Sequence, residues 1–247
     1  MAFVSHRSGV PDVWKRNLDT GDESAMRIIP RPDEPILLSA DGLQVAFSAR
    51  EGSNRAIYLA DSSGDPPRKI CQRCGVLMDW SSDNRRILFG TGNPESICSL
   101  IVEDGQISEL SKDTQQSLRN AVFSPDGGWM AWEIGANVVV GRFLNERQLD
   151  TKNAIVVAVT IDSSGYPQWS PDGNLLYFLS KENGYRCIWA QRLDPATKTP
   201  QGQPIGVWHV HESFRKIWTI APFSISRTQL VVPLTDVTSN IWMAEWK

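Results

Sequence analysis

Short apolar runs recur along the chain, each set off by polar turns. Gln44-Val-Ala-Phe-Ser48, Arg86-Ile-Leu-Phe89, Trp129-Met-Ala-Trp132, Leu175-Leu-Tyr-Phe-Leu179 and Leu230-Val-Val232 have the β-branched and aromatic content of strands. A turn phrase precedes each run: Ser39-Ala-Asp-Gly42, Ser81-Ser-Asp-Asn84, Ser124-Pro-Asp-Gly127, Ser170-Pro-Asp-Gly173 and a decayed Ser224-Ile-Ser-Arg227. The serines at 39, 81, 124, 170 and 224 stand 42, 43, 46 and 54 residues apart. A period of roughly 40–50 residues marks a solenoid, a propeller or a tandem array.

Each unit reads as strands. A short segment such as Val122-Phe123 or Gln168-Trp169 comes first, then the turn, then the apolar run. In the turn, Pro presets φ, Asp bonds back to the backbone, and Gly accepts positive φ. A polar loop (Arg50–Asn54, Lys181–Gly184) leads to a third strand with an aromatic: Ala56-Ile-Tyr58, Cys187-Ile-Trp189 or Asn240-Ile-Trp242. A further turn leads to a fourth strand, as in Val102–Leu110. The distance from turn serine to aromatic is steady: Ser39 to Tyr58, Ser170 to Trp189, Ser224 to Trp242. Four short strands per unit make one propeller blade. The unit around Val138-Val-Val140 lacks the aromatic.

The expected fold is therefore all-β: a β-propeller of six sectors of four-stranded antiparallel blades, with the first and last incomplete. The approximate blades are 2–29, 35–70, 76–110, 119–161, 167–211 and 220–247 of a single propeller domain. Ala2–His6, Asp12–Trp14 and Ala25–Ile29 match second, third and fourth strands, so the first blade lacks an inner strand. The last unit lacks an outer strand. An incomplete ring exposes an edge strand, and self-association through that edge is one expectation.

Composition narrows the function classes. With 25 Lys and Arg against 28 Asp and Glu, the net charge is −3, which argues against a nucleic-acid binder. No apolar run reaches the ~18 residues of a membrane span. Ten tryptophans is a high number. Trp80 and Trp169 before turns, and Trp189 and Trp242 in third strands, are expected to fill the wedges between blades.

Phe123-Ser-Pro-Asp-Gly127 with Met130-Ala-Trp132, and Gln168-Trp-Ser-Pro-Asp-Gly173 with Leu176-Tyr-Phe178 and Ile188-Trp189, resemble the WD40-like repeat of TolB-type β-propellers. The resemblance covers nearly the whole chain. It implies the C-terminal propeller of a longer bacterial protein, such as a serine/threonine kinase or a membrane regulator. It also implies protein interaction or sensing rather than catalysis. The compartment stays open, and is extracytoplasmic if the parent carries a signal or transmembrane segment.

Candidate chemistry is sparse. Cys71-Gln-Arg-Cys74 is the one metal-like or redox-like motif, but zinc wants four ligands, and Cys98 and Cys187 stand in other blades. Ordinary thiols, a local disulfide and zinc are the three readings, with thiols favoured and no metal or other cofactor expected. His209 and His211 alternate in Val207-Trp-His-Val-His211, and with Arg215 and Trp218 form the most varied stretch, a binding candidate at the channel mouth. No Gly-x-Ser-x-Gly elbow or Gly-rich phosphate loop occurs. No carboxylate pair is singled out for glycoside chemistry. Asp41, Asp83, Asp126 and Asp172 read as turn builders, and Arg85-Arg86 as a solvated hairpin end. The expectation is a non-catalytic binding, scaffold or sensor propeller for a protein partner or small ligand. The alternative is a propeller-based glycosidase or lyase with acid/base residues at the channel mouth.

Overall fold

In the computed structural model, four of the turn phrases close through one hydrogen-bond pattern. The serine hydroxyl donates to the aspartate two residues on, at 2.6 Å in both Ser39–Asp41 and Ser81–Asp83. That same hydroxyl accepts the amide five residues on: Gln44, Arg86, Trp129 or Leu175. The aspartate accepts the amide of Leu43, Arg85, Gly128 or Asn174. The fourth residue takes positive φ: Gly42 (73°), Asn84 (60°), Gly127 (68°) and Gly173 (69°). Glycine adopts this without strain, and Asn is among the side chains that tolerate it.

The structure describes residues 2–5, 7, 9, 12–26, 32–61, 65–92, 95–113, 116, 118–160, 165–182, 185–209, 215–217, 223–232 and 234–236. Blade one has three strands, β1 (Ala2–Ser5), β2 (Asp12–Arg16) and β3 (Glu23–Met26). Blade two runs β4 (Asp33–Leu38), β5 (Gln44–Glu51), β6 (Asn54–Asp61) and β7 (Arg68–Gln72). Blade three runs β8 (Val76–Trp80), β9 (Arg86–Thr91), β10 (Glu95–Ile101) and β11 (Ile107–Asp113). Blade four has β12 (Leu118–Phe123), β13 (Trp129–Ile134) and the long β14 (Asn137–Asn145). The outer side of β14 pairs with both β15 (Gln148–Leu149) and β16 (Ile155–Val159). Blade five runs β17 (Gln168–Trp169), β18 (Leu175–Glu182), β19 (Tyr185–Leu193) and β20 (Pro200–Trp208). All of the strand pairings are antiparallel.

Five blades are described where the repeat count predicts six sectors. The difference lies in the last unit. There, β21 (Arg215–Ile217) pairs with β24 (Leu234–Asp236), and β22 (Ser224–Ile225) with β23 (Leu230–Val231). Residues 237–247, including Trp242, lie outside the described set. The decayed turn also closes differently. Ser226, not Ser224, accepts the Gln229 amide at 3.0 Å, and its own amide bonds Gln229 O. This turn is two residues tighter than the others, which moves its serine to 226.

The cores lie between blades, because each blade is apolar on both faces. Ala46, Ile57 and Leu59 of blade two meet Leu77, Ile87 and Phe89 of blade three. Equivalent clusters join blades one and two, three and four, and four and five. A fifth cluster packs Leu179 and Ile188 of blade five against Phe223, at the start of the next sector. Each fully buried Leu, Ile or Phe contributes about 1.5–3 kcal/mol relative to exposure, so the blade stack is the main source of stability. Trp80 and Trp169 are buried in these wedges, as their positions predict.

Candidate functional site

The turns join one another across blades. Asn84 donates to the Asp41 carboxylate at 2.9 Å and accepts the Ala40 amide at 2.7 Å. Ser82 donates to Pro125 O at 2.7 Å. Cations secure the glycine carbonyls of three turns: Lys15 on Gly42 O, Arg86 on Gly127 O, Lys198 on Gly173 O. Arg86 is a correction to the solvated hairpin end expected from sequence. Arg85 is exposed and pairs with Glu146, but Arg86 is buried between the Phe123 and Phe143 rings, 4.7 and 4.9 Å from their centres. That sandwich gives a desolvated cation the face of two π systems.

The turn aspartates serve this architecture. At Asp41 and Asp172 the serine hydroxyl is the main cause holding the carboxyl below its ordinary range. At Asp83 and Asp126 burial pushes upward, but the serine hydroxyl and backbone amides outweigh it. Three other carboxylates tie blade to blade. Glu95 accepts the Leu118 amide at 2.7 Å, Asp79 the Phe123 amide at 2.8 Å, and Glu133 the Tyr166 amide at 2.5 Å. Burial raises Asp79 to about 7 against the downward pull of its backbone partners. The signal for Asp79 and Glu133 was present in the sequence, as a lone acid inside an apolar run (Leu77-Met-Asp-Trp80, Ala131-Trp-Glu-Ile134). Among the described residues, no three His, Cys, Asp or Glu gather as metal donors.

Cys71 and Cys74 are joined as a local disulfide, with Cα atoms 6.1 Å apart. The thiols favoured from sequence are therefore paired. The bridge ends β7 and opens the link to β8, where both sulfurs sit in the wedge between blades two and three. Cys98 belongs to the same wedge, and burial pushes its thiol up to about 11. Such a thiol is a poor nucleophile.

Of the four channel-mouth candidates, the structure describes His209 and Arg215. His211 and Trp218 lie outside the described residues, and Arg215 opens β21, opposite Asp236. His209 follows β20, with its ring edge-on to Trp189 at 5.4 Å. Trp189 is only partly buried, and it lines an open groove of about 680 Å³ between blades four and five. One wall is the outer strand β16, through Val156 to Val159. The other is blade five, through Phe178, Ser180 and Lys181 of β18, Trp189 and Gln191 of β19, and Pro200, Gln203 and Pro204 of β20. The volume is of ligand-site size. The sequence placed Trp189 in a wedge and gave no sign of the groove. β16 reads as an ordinary buried strand, and β20 is distant from it along the chain.

No protein-family model matches the chain, and no curated protein matches it in sequence. Solved structures do. TolB from Acinetobacter baumannii superposes at a TM-score of 0.62 with 19% identity, covering 77% of this chain and 48% of that one. The fold is that of a TolB-like β-propeller. This chain spans about half the length of that TolB. An oligogalacturonate lyase in complex with manganese matches at 0.60 and 16% identity, covering 81% of this chain and 61% of that one. The β-propeller domain of the Trilobed protease from Pyrococcus furiosus, described as having an open velcro topology, matches at 0.56 and 13% identity. That match covers 96% of this chain and 75% of the other. At these identities the likeness is one of fold, shared by binding proteins and enzymes alike.

Proposed function

We propose that this TolB-like propeller is a non-catalytic binding module for a protein partner. The observation that carries this reading is the groove between blades four and five. Its walls are mostly aliphatic, aromatic and proline side chains, with Ser180, Gln191 and Gln203 between them and Lys181 as the one charged group among the described lining residues. Acid/base chemistry calls for convergent titratable groups, whereas an open apolar groove suits capture of a chain segment. The carboxylates with strong geometry support the same reading, since they hold turns or tie blades. The neighbouring lyase keeps the enzyme alternative in view, and the test includes it.

A photo-reactive amino acid replacing Gln203 in the groove is compared with one replacing Asp104, in an exposed turn of blade three. In extracts of the cells that make the protein, the Gln203 position should give a discrete adduct and the Asp104 position none. Sustained turnover of oligogalacturonate with manganese, abolished by heat denaturation, would overturn the proposal.

A further inference from the structure

We propose that the Cys71–Cys74 disulfide is a redox latch: a dithiol reductant opens it, and its state sets how freely the link between blades two and three opens. The bond joins β7 to the link that leads into β8. That link is short and touches both blades. The Cys74 amide donates to Arg55 O of blade two at 3.0 Å. Gly75 has no room for a Cβ, which would strike Gly90 O of blade three. Movement here therefore reaches both blades. The link is also held in a conformation its sequence does not favour. Arg73 has a φ of 62°, in the left-handed region. Long side chains are uncommon there, and residues held in such regions cluster at switches. Arg73 is held between the two bonded cysteines, and opening the bond releases it.

Three features let the bond open while the blades stay folded. Gln72 and Arg73 are exposed, so the bond lies directly beneath the surface and local opening of the link uncovers it. The cysteines are three residues apart, and so short a loop removes less chain entropy on closure than a longer one. Cys98, the third sulfur of this wedge, does not compete. It lies within β10, paired on both sides, and burial keeps its thiol protonated. In the exchange, a thiolate of the reductant attacks one sulfur of the pair and forms a mixed disulfide. The other cysteine leaves as a thiolate and takes up a proton. The second thiolate of the reductant then closes its own disulfide and releases the remaining cysteine. Two electrons and two protons pass from the dithiol to the pair.

The test titrates the native full chain with dithiothreitol and then alkylates free thiols. Trypsin cuts after Arg73, so the oxidised pair appears as linked peptides 70–73 and 74–85. The pair should open at dithiothreitol concentrations that leave Cys98 and Cys187 unalkylated, and re-form with oxidised glutathione. On opening, amide exchange across residues 70–76 should rise at least tenfold. The Gln44, Arg86, Trp129 and Leu175 amides should not change, and the melting temperature should fall by no more than about 5 °C. Cys71→Ser/Cys74→Ser should show the same fast exchange without reductant; if it does not fold, the native titration still decides. Reduction that occurs only with alkylation of Cys98 and Cys187 would make the bond a buried staple and overturn the latch. Unchanged exchange at 70–76 after opening, or a bond from Cys98 to either cysteine, would also overturn it. So would free thiols at both positions in protein kept in oxidised glutathione.

Discussion

The end of the blades that carries the Ser-x-Asp turns and the outer edges of the same blades follow opposite rules. At the turns, four blades repeat the same bonds, and even the cations that secure them recur as Lys15, Arg86 and Lys198. At the outer edges no two strands are alike: β7 is basic, β11 mixed in charge, β20 proline-bearing and β16 purely aliphatic. What repeats is what the fold requires of every blade. What does not repeat is free to differ, and it is there that an individual binding property has room to arise.

The largest effect expected from breaking the comparison is at a turn. Asp126→Ala removes the acceptor of the Ser124 hydroxyl and the Gly128 amide. The loss should be about 3 kcal/mol, read as a melting temperature roughly 10 °C lower. Arg86→Ala empties the space between Phe123 and Phe143 and frees Gly127 O. It should cost about 2 kcal/mol, measured by urea unfolding.

The aspartates sharpen the contrast by titrating in opposite senses. Asp41, Asp83, Asp126 and Asp172 are held below their ordinary range, so their stabilisation is present above about pH 4 and lost as pH falls through their folded values. Asp79 is raised to about 7, so the folded state holds its proton longer than the unfolded chain. It therefore lowers stability as pH rises from about 4 to 7. Asp79→Asn keeps an acceptor for the Phe123 amide. At pH 8 it should be more stable than wild type by on the order of 2 kcal/mol, with no gain at pH 4. Equal stability at both values would show that Asp79 ionises freely.

The smallest effect belongs to the edge. Val156→Lys/Val159→Lys should change stability by less than about 0.5 kcal/mol. A large loss would mean that β16 is not an open edge.

The turns were legible in the sequence because all their chemistry lies within six residues, from Ser39 to Gln44 and its equivalents. The wedge tryptophans 80 and 169 were legible because their distance from the turn fixes where they point. Arg86 was not, since its burial depends on Phe123 and Phe143 in the next blade. The displaced turn at Ser226 was hidden by a serine two residues earlier that fits the spacing. The groove was least legible. Ile155–Val159 has the composition of a core strand, and only its position outside β14 reveals it as an edge. The neighbours of His209 told little, because His211 and Trp218 lie outside the described residues.

Residue-resolved amide hydrogen exchange of the unliganded chain tests the contrast most directly. The Gln44, Arg86, Trp129 and Leu175 amides, each bonded to a turn serine, should exchange only through global unfolding, at closely similar rates. Alternate amides of β16 should exchange orders of magnitude faster, as unpaired edge groups do. Equal protection across β16 and the turns would contradict the account, because that edge would then already have a partner.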